Sequence, residues 1–388
     1  MNNKMIEKRP FSRSITRFLF FILWFIAVWG TAFFSRAEAA KNVIVMIPDG
    51  CSFEQYTLVR WYKGAPLAMD AILVGAVKTH VADSVVADSA PAASAFATGV
   101  RTSDKCISVA PKTEGIIPHL KASGYKPYQP LATVLEAAKL TGRAVGVVST
   151  SRVTHATPAA YIAHVSDRKL EDDIMEQAVY QDLDVVFGGG GRYLLGKASG
   201  TLNPYHEKRM EDPHTLKWAD KGKRYDKDNL IEVLRGKGYT LISTRDELMR
   251  QDKGPVFGMF ALSHMAAEID REQIAATEPS LSEMTRKAIE ILSKDPDGFF
   301  LMVEGSQVDW ANHANDPAHL ISDLLIFDES VRITLDFARL NGGTLLLVLP
   351  DHNTGGMSIG NWATSRNYSK MKPDDLVGPL RKMKASSL

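Results

Sequence analysis

The sequence predicts an α/β protein, a three-layer αβα sandwich around a large, mostly parallel central sheet. Three observations predict it. Short β-rich apolar runs end abruptly in glycine or small polar residues, and segments of helical spacing separate them, the pattern of strands joined by helical crossovers. Composition is that of a folded chain: 388 residues, 45% apolar, with Lys+Arg 46 against Asp+Glu 45. That excludes a disordered or collagen-like protein and speaks against a dedicated nucleic-acid binder, which would carry a basic excess.

The elements follow in order. Lys4, Lys8, Arg9, Arg13 and Arg17 precede an apolar run from Phe18 to Phe34, and Ala37-Glu38-Ala39 closes it. A basic head, an apolar middle and an A-x-A exit describe a secretory signal peptide spanning residues 1–39. Retention as a membrane anchor is the alternative, because the run is just long enough to span. Cleavage removes six basic and two acidic side chains, taking the formal net charge from +1 to −3. The expected location is periplasmic or extracellular, with a membrane contact only through an uncleaved leader. From residue 40 to 388 the chain reads as one catalytic domain. Asn42–Ile47 is a strand ending at Pro48-Asp49-Gly50, Leu131–Leu140 has helical spacing, and Ala144–Val148 is a strand ending in Ser149-Thr150. Leu183–Phe187 is a strand closed by Gly188–Gly191. Ser280–Ser293 reads as a helix, Phe299–Val303 as a strand, Leu320–Leu340 as a long helix and Thr344–Leu349 as a strand. The Lys-rich stretch Thr201–Lys227 reads as a surface insertion.

Ligands of such folds collect beyond the carboxyl ends of the strands. Asp49, Glu304 and Asp351-His352 stand at three of those ends, and Asp309 and His313 follow at i,i+4, on one helical face. Carboxylates and imidazoles gathered at one edge repel unless cations lie between them. Oxygen and nitrogen donors without thiolates suit Zn²⁺ or a similar ion, and Mg²⁺ where only oxygens converge. Singly, each residue reads as a turn or cap. Asp88-Ser89-Ala90 opens a small-residue helix whose free N–H groups would meet an anion, with the Ser89 hydroxyl at that positive end. Alone it is also an ordinary N-cap.

Taken together, Pro48-Asp49-Gly50, Asp88-Ser89-Ala90, Thr154-His155-Ala156-Thr157-Pro158-Ala159-Ala160, Val303-Glu304-Gly305, Asp309 with His313, and Asp351-His352-Asn353-Thr354-Gly355-Gly356 resemble the alkaline phosphatase family in order and spacing. The resemblance implies a two-zinc, one-magnesium phosphomonoesterase that accepts small phosphate monoesters, and a homodimer. Ser89 is then the nucleophile that becomes a phosphoserine and meets the metal. Asp49, Asp351 and His352 resemble ligands of the zinc that activates it. Asp49, Thr157 and Glu304 resemble the magnesium site. Asp309 and His313 resemble two of three ligands of the other zinc, and Arg168 the phosphate clamp. His155 and Trp310 stand where other members have aspartate and lysine, near the phosphate and magnesium shells, so a changed metal preference or pH optimum is expected.

The family draws a third ligand of the Asp309/His313 zinc from a histidine further downstream. Here His352 is the last histidine, so the chain reads as shortened and that zinc site as incomplete. His319, six residues past His313, is off its helical face. Competing readings are a phosphodiesterase or sulfatase of the same superfamily, and an impaired metal- and phosphate-binding homologue. Other features read as structural: Gly188–Gly191 as a tight turn, His80, His119, His206 and His214 as surface or loop residues, His164 as a core histidine, and Asp270-Arg271-Glu272 as solvated charge. The sequence around His264 is silent. Cys51 and Cys106 allow one disulfide, and an inert buried thiol is the expected state of Cys51.

Overall fold

The computed structural model describes residues 39–113, 124–196, 223–226, 228–360, 362, 365 and 368–387. Among them, seven strands make one sheet: β1 (Asn42–Pro48), β2 (Ala144–Arg152), β3 (Val185–Gly189), β4 (Thr240–Ile242), β5 (Val256–Ala261), β6 (Phe299–Gly305) and β7 (Thr344–Val348). Their order is β4-β5-β3-β2-β6-β1-β7. Every pairing is parallel.

Side-chain alternation divides the core into two layers. Ile44, Met46, Val148, Phe187, Leu301 and Val303 point to one side, where the Phe53–Lys63, Leu281–Leu292 and Pro317–Asn341 helices cover them. Val45, Ile47, Val147, Val186, Phe300 and Met302 point to the other, under the Ser89–Thr98, Ala156–Ile162 and Glu171–Tyr180 helices. Strands covered on both faces read as continuous apolar runs. The Ser89–Thr98 and Ala156–Ile162 helices are alanine-rich, so their backbones pack closely.

Caps set the helix limits. Thr133 and Glu136 form a capping box, so the helix expected over Leu131–Leu140 begins only at Val134. Ser280 and Glu283 do the same for Leu281–Leu292. Asp316 accepts from the Ala318 and His319 amides with Pro317 at the first helical position, which carries the long helix upstream of Leu320. Strand β5 has no counterpart in the sequence reading. Its Gly258 looks like a break, yet it lies against the Phe187 and Phe260 rings, where a side chain has no room.

Two readings change. Arg271 is buried, not solvated, and pairs with Glu268 at 2.9 Å while donating to the Glu278 carbonyl. Most of Thr201–Lys227 lies outside the described residues, as do His119, His206, His214 and the leader. Within that stretch Arg224 is fully buried, bonded to Asp226 and to the Asp172 carbonyl. Cys51 and Cys106 are both free. No helix among the described residues is long and apolar enough to cross a membrane.

Candidate active site and metal centre

Register brings the site together. β1 places Ile47 beside Glu304 of β6, and β2 places Ser149 beside the same residue, so Asp49, Ser151 and Glu304 emerge at one edge. Beyond β7, Asp351 Oδ1 accepts from the Gly50 amide at 3.1 Å and from the His352 amide at 3.0 Å. That ties the end of β7 to the end of β1.

Ser89 is the first residue of its helix and is buried. Its Oγ lies 3.2 and 3.4 Å from the two Asp49 oxygens and 3.1 Å from His352 Nε2. Asp88 caps the helix: one carboxylate oxygen accepts from the Ser89 amide at 2.8 Å and the other from Arg168 Nη1 at 2.7 Å. One carboxylate therefore fixes both the serine backbone and the guanidinium. Burial pushes the Asp88 carboxyl up, but the Arg168 charge and the Ser89 amide outweigh it and hold it below the ordinary value.

Among the described residues, two groups of side chains offer ligand atoms lying within 4.8 Å of one another: Asp49, Asp351 and His352; and Asp49, His155 and Glu304. Ser151 donates to Glu304 Oε2 at 3.0 Å. Arg168 Nη2 lies 2.9 Å from His155 Nε2. Among the described residues, four buried polar atoms here have no hydrogen-bond partner: Asp351 Oδ2, Glu304 Oε1, Thr157 Oγ1 and His155 Nδ1. Buried polar groups are seldom left so. The carboxylates also crowd one another. Burial, then Asp351, Asp309 and Glu304, raises Asp49 well above the usual range; burial, then Asp351, lifts Glu304 to about 7. Orphaned oxygens, an orphaned nitrogen and carboxylates held against their charge fit divalent cations with oxygen and imidazole ligands.

Asp309 and His313 share one face of the Gln307–His313 helix, with His313 Nε2 3.5 Å from Asp309 Oδ1. The Thr354 hydroxyl also donates to Asp309. Among the described residues no third His, Cys, Asp or Glu completes a group with them. His319 is elsewhere, 3.1 Å from Gln307 Oε1. Cys51 is buried and its thiol is pushed up to about 12, chiefly by burial, which leaves it inert.

His264 is the residue the sequence conceals. Its ring packs edge-on against Trp310, with centroids 4.2 Å apart, and against His155 at 5.4 Å; His155 and Trp310 are 5.5 Å apart. The Arg152 amide donates to His264 Nδ1 at 3.3 Å, and Arg152 pairs with Glu171 at 2.7 Å. Burial, then Arg152 and Arg192, lowers the imidazole to about 3. No local pattern marks a lone histidine in a loop. Only the pairing of β5 beside β3 brings it here. His164 is a satisfied histidine, bonded to the Ser108 carbonyl and to Glu136.

A doubly covered parallel sheet with a buried serine, an arginine and a carboxylate–imidazole cluster at its strand ends is the arrangement of a hydrolase of the αβα class. The chain belongs to the alkaline phosphatase family, whose model matches residues 40–379. Alkaline phosphatase 3 of Bacillus subtilis is 35% identical over 87% of this chain and 67% of its own. The crystal structure of Thermus thermophilus alkaline phosphatase superposes with a TM-score of 0.72 at 30% identity, over 90% of this chain and 67% of that one. A histidine-to-aspartate variant of the alkaline phosphatase from the Antarctic bacterium TAB5, 30% identical with a TM-score of 0.66 over 83% and 80% of the two chains, is described with Mg bound in its M3 site. The chain spans about two thirds of the length of the first two curated relatives and 58% of the repressible alkaline phosphatase of Saccharomyces cerevisiae.

Proposed function

We propose that this chain is an exported phosphate-monoester hydrolase that works through a phosphoserine at Ser89, with two zinc ions and one magnesium ion as resident cofactors. The observation that carries it is the placement of Ser89 Oγ between Asp49 and His352, while Asp88, the residue before it, binds the guanidinium of Arg168. Asp49, Asp351 and His352 would hold the zinc next to Ser89; Asp49, Thr157 and Glu304, with His155 at their edge, would hold the magnesium; Asp309 and His313 would supply two ligands to the second zinc. Bound cations supply charge neutralisation on attacking and leaving oxygens and a hydroxide for hydrolysis. The chain's residues do the rest. The helix N-terminus at Ser89 and the planar fork of Arg168 receive the phosphoryl oxygens. Ser89 Oγ gives up its proton to solvent and attacks phosphorus, the ester oxygen leaves with its electron pair and takes up a proton from water, and a second water then breaks the Ser89–phosphate bond, releasing inorganic phosphate and returning a proton to Ser89 Oγ. The clamp addresses only phosphate, so broad tolerance of small monoesters follows, and a homodimer is the expected assembly.

Turnover of a phosphate monoester, a phosphate diester and a sulfate ester tests the reading, with Ser89→Ala as control. Preference for the monoester, its loss in Ser89→Ala and acid-trapped phosphate on Ser89 support it. Preference for the diester or sulfate overturns it in favour of another reaction. Bound zinc without Ser89-dependent turnover overturns it in favour of a binding protein.

A further inference from the structure

His155 has two claimants and one lone pair. A guanidinium only donates, so Arg168 Nη2 at 2.9 Å from His155 Nε2 makes that nitrogen the acceptor and places the ring's proton on Nδ1. The same imidazole offers a ligand atom within 4.8 Å of those of Asp49 and Glu304, and its Nδ1 is one of the orphaned buried atoms. A neutral imidazole accepts through a single nitrogen. If a cation takes Nε2, it displaces Arg168 directly. If it takes Nδ1, the proton moves to Nε2 and an N–H faces the guanidinium N–H. An intervening cation-bound water changes nothing, because such a water donates. The two contacts exclude each other whichever nitrogen is used.

We propose that His155 acts as an exchange point between the phosphate clamp and the Asp49/Glu304 cation site, so that Arg168 leaves His155 when a cation binds there. This deepens the hydrolase reading and rests on it for the roles of Arg168 and the cation. The Asp88 contact anchors one end of the guanidinium through Nη1, so the fork pivots rather than departs, and the freed Nη2 turns to phosphate. Phosphate that captures Nη2 in turn releases the imidazole for the cation. By reciprocity phosphate and cation tighten one another's binding by the same factor. An aspartate at this position would behave differently: a carboxylate has lone pairs for a guanidinium and a cation at once, so exchange would vanish.

The test reads Mn²⁺ affinity, by electron paramagnetic resonance of the free ion, in the zinc-loaded protein without substrate. Arg168→Ala removes one claimant and is expected to tighten Mn²⁺ binding by about tenfold or more; in a His155→Asp background it tightens binding only by the about twofold to threefold owed to the lost positive charge, a double-mutant cycle with a clear coupling term. Equal tightening in both backgrounds, no tightening, or no Mn²⁺ binding in any variant overturns the proposal. A second measurement needs no change at His155: inorganic phosphate tightens Mn²⁺ binding in the unmodified protein and loses most of that effect in Arg168→Ala. An undiminished effect in Arg168→Ala overturns it as well. Neither measurement depends on turnover, so failure of the exchange is distinct from failure of the hydrolase reading.

Discussion

At the scale of residues, the proposed reaction divides the site between groups that would meet phosphate and groups that hold them in place. Asp88 belongs to the second kind, binding both the Ser89 amide and Arg168. Asp88→Asn keeps an acceptor for the amide but loses the ion pair. A charge-assisted hydrogen bond is worth about 1.5–3 kcal/mol, and the partial exposure of this pair reduces that. The expected result is a KM for a small monoester raised about threefold to thirtyfold with unchanged zinc content; lost zinc would show that Asp88 supports the metal ligands instead. His264 touches the site at one remove, through the rings of His155 and Trp310, and on the proposed reading would act through them. Aromatic pairs of this kind contribute about 0.5–1.5 kcal/mol beyond burial, so His264→Ala is expected to weaken inorganic phosphate binding about twofold to tenfold, whereas His264→Phe, which keeps the edge contact, restores most of it. Equal affinity in all three proteins would leave His264 as packing alone.

At the scale of elements, the decisive feature is how each strand stops. β1 ends at Asp49 and turns through Gly50, which is left-handed (φ 65°) and packed against Asp309 and Thr354. Gly64, at the end of the Phe53–Lys63 helix, is also left-handed (φ 69°) but faces open space. Gly64→Ala meets only the backbone penalty, about 1 kcal/mol. Gly50→Ala meets that penalty and a collision with two site side chains, so it is expected to lose at least about 2 kcal/mol of stability and part of the bound metal; denaturant unfolding and metal analysis compare the two. The ends of β1, β6 and β7 were legible in the sequence because apolar runs stop at Asp49, Glu304 and Asp351, and the Ser89 helix because Asp88 caps a small-residue segment. β5 was not, since Gly258 breaks the apolar pattern for a reason, contact with Phe187 and Phe260, that exists only after folding. His264 was illegible for the same cause. Arg271 was misread because charge in sequence says nothing of the Glu268 and Glu278 partners that let it be buried.

For the whole molecule, the two apolar layers and the acidic strand ends pull in opposite directions. Burial of the layers stabilises the fold, and the same burial forces Asp49, Glu304 and Asp309 to ionise only with difficulty. In the metal-free protein the folded state keeps a proton on Glu304 up to about 7, while the unfolded chain releases it near the ordinary carboxylate value. Between those points the native state binds more protons, so unfolding becomes easier as pH rises. Glu304 alone accounts for about 3 kcal/mol of that loss, and Asp49 and Asp309 add in the same direction. Glu136 opposes it at the acid end. Burial raises its carboxyl, but His164, the Thr133 amide and Gln181 bring it down to about 2, so its contribution is present above the ordinary value and disappears as pH falls below. Chelated protein is therefore expected to be most stable near about pH 5 and to lose Tm steadily from there to pH 8. Bound cations would offset both the cost of burying these charges and their mutual repulsion, so protein reloaded with zinc and magnesium is expected to hold its Tm across the same interval. Thermal unfolding of both forms at several pH values checks it: parallel curves would mean that the carboxylates find their charge balance within the protein, and the buried cluster would then have no need of metal.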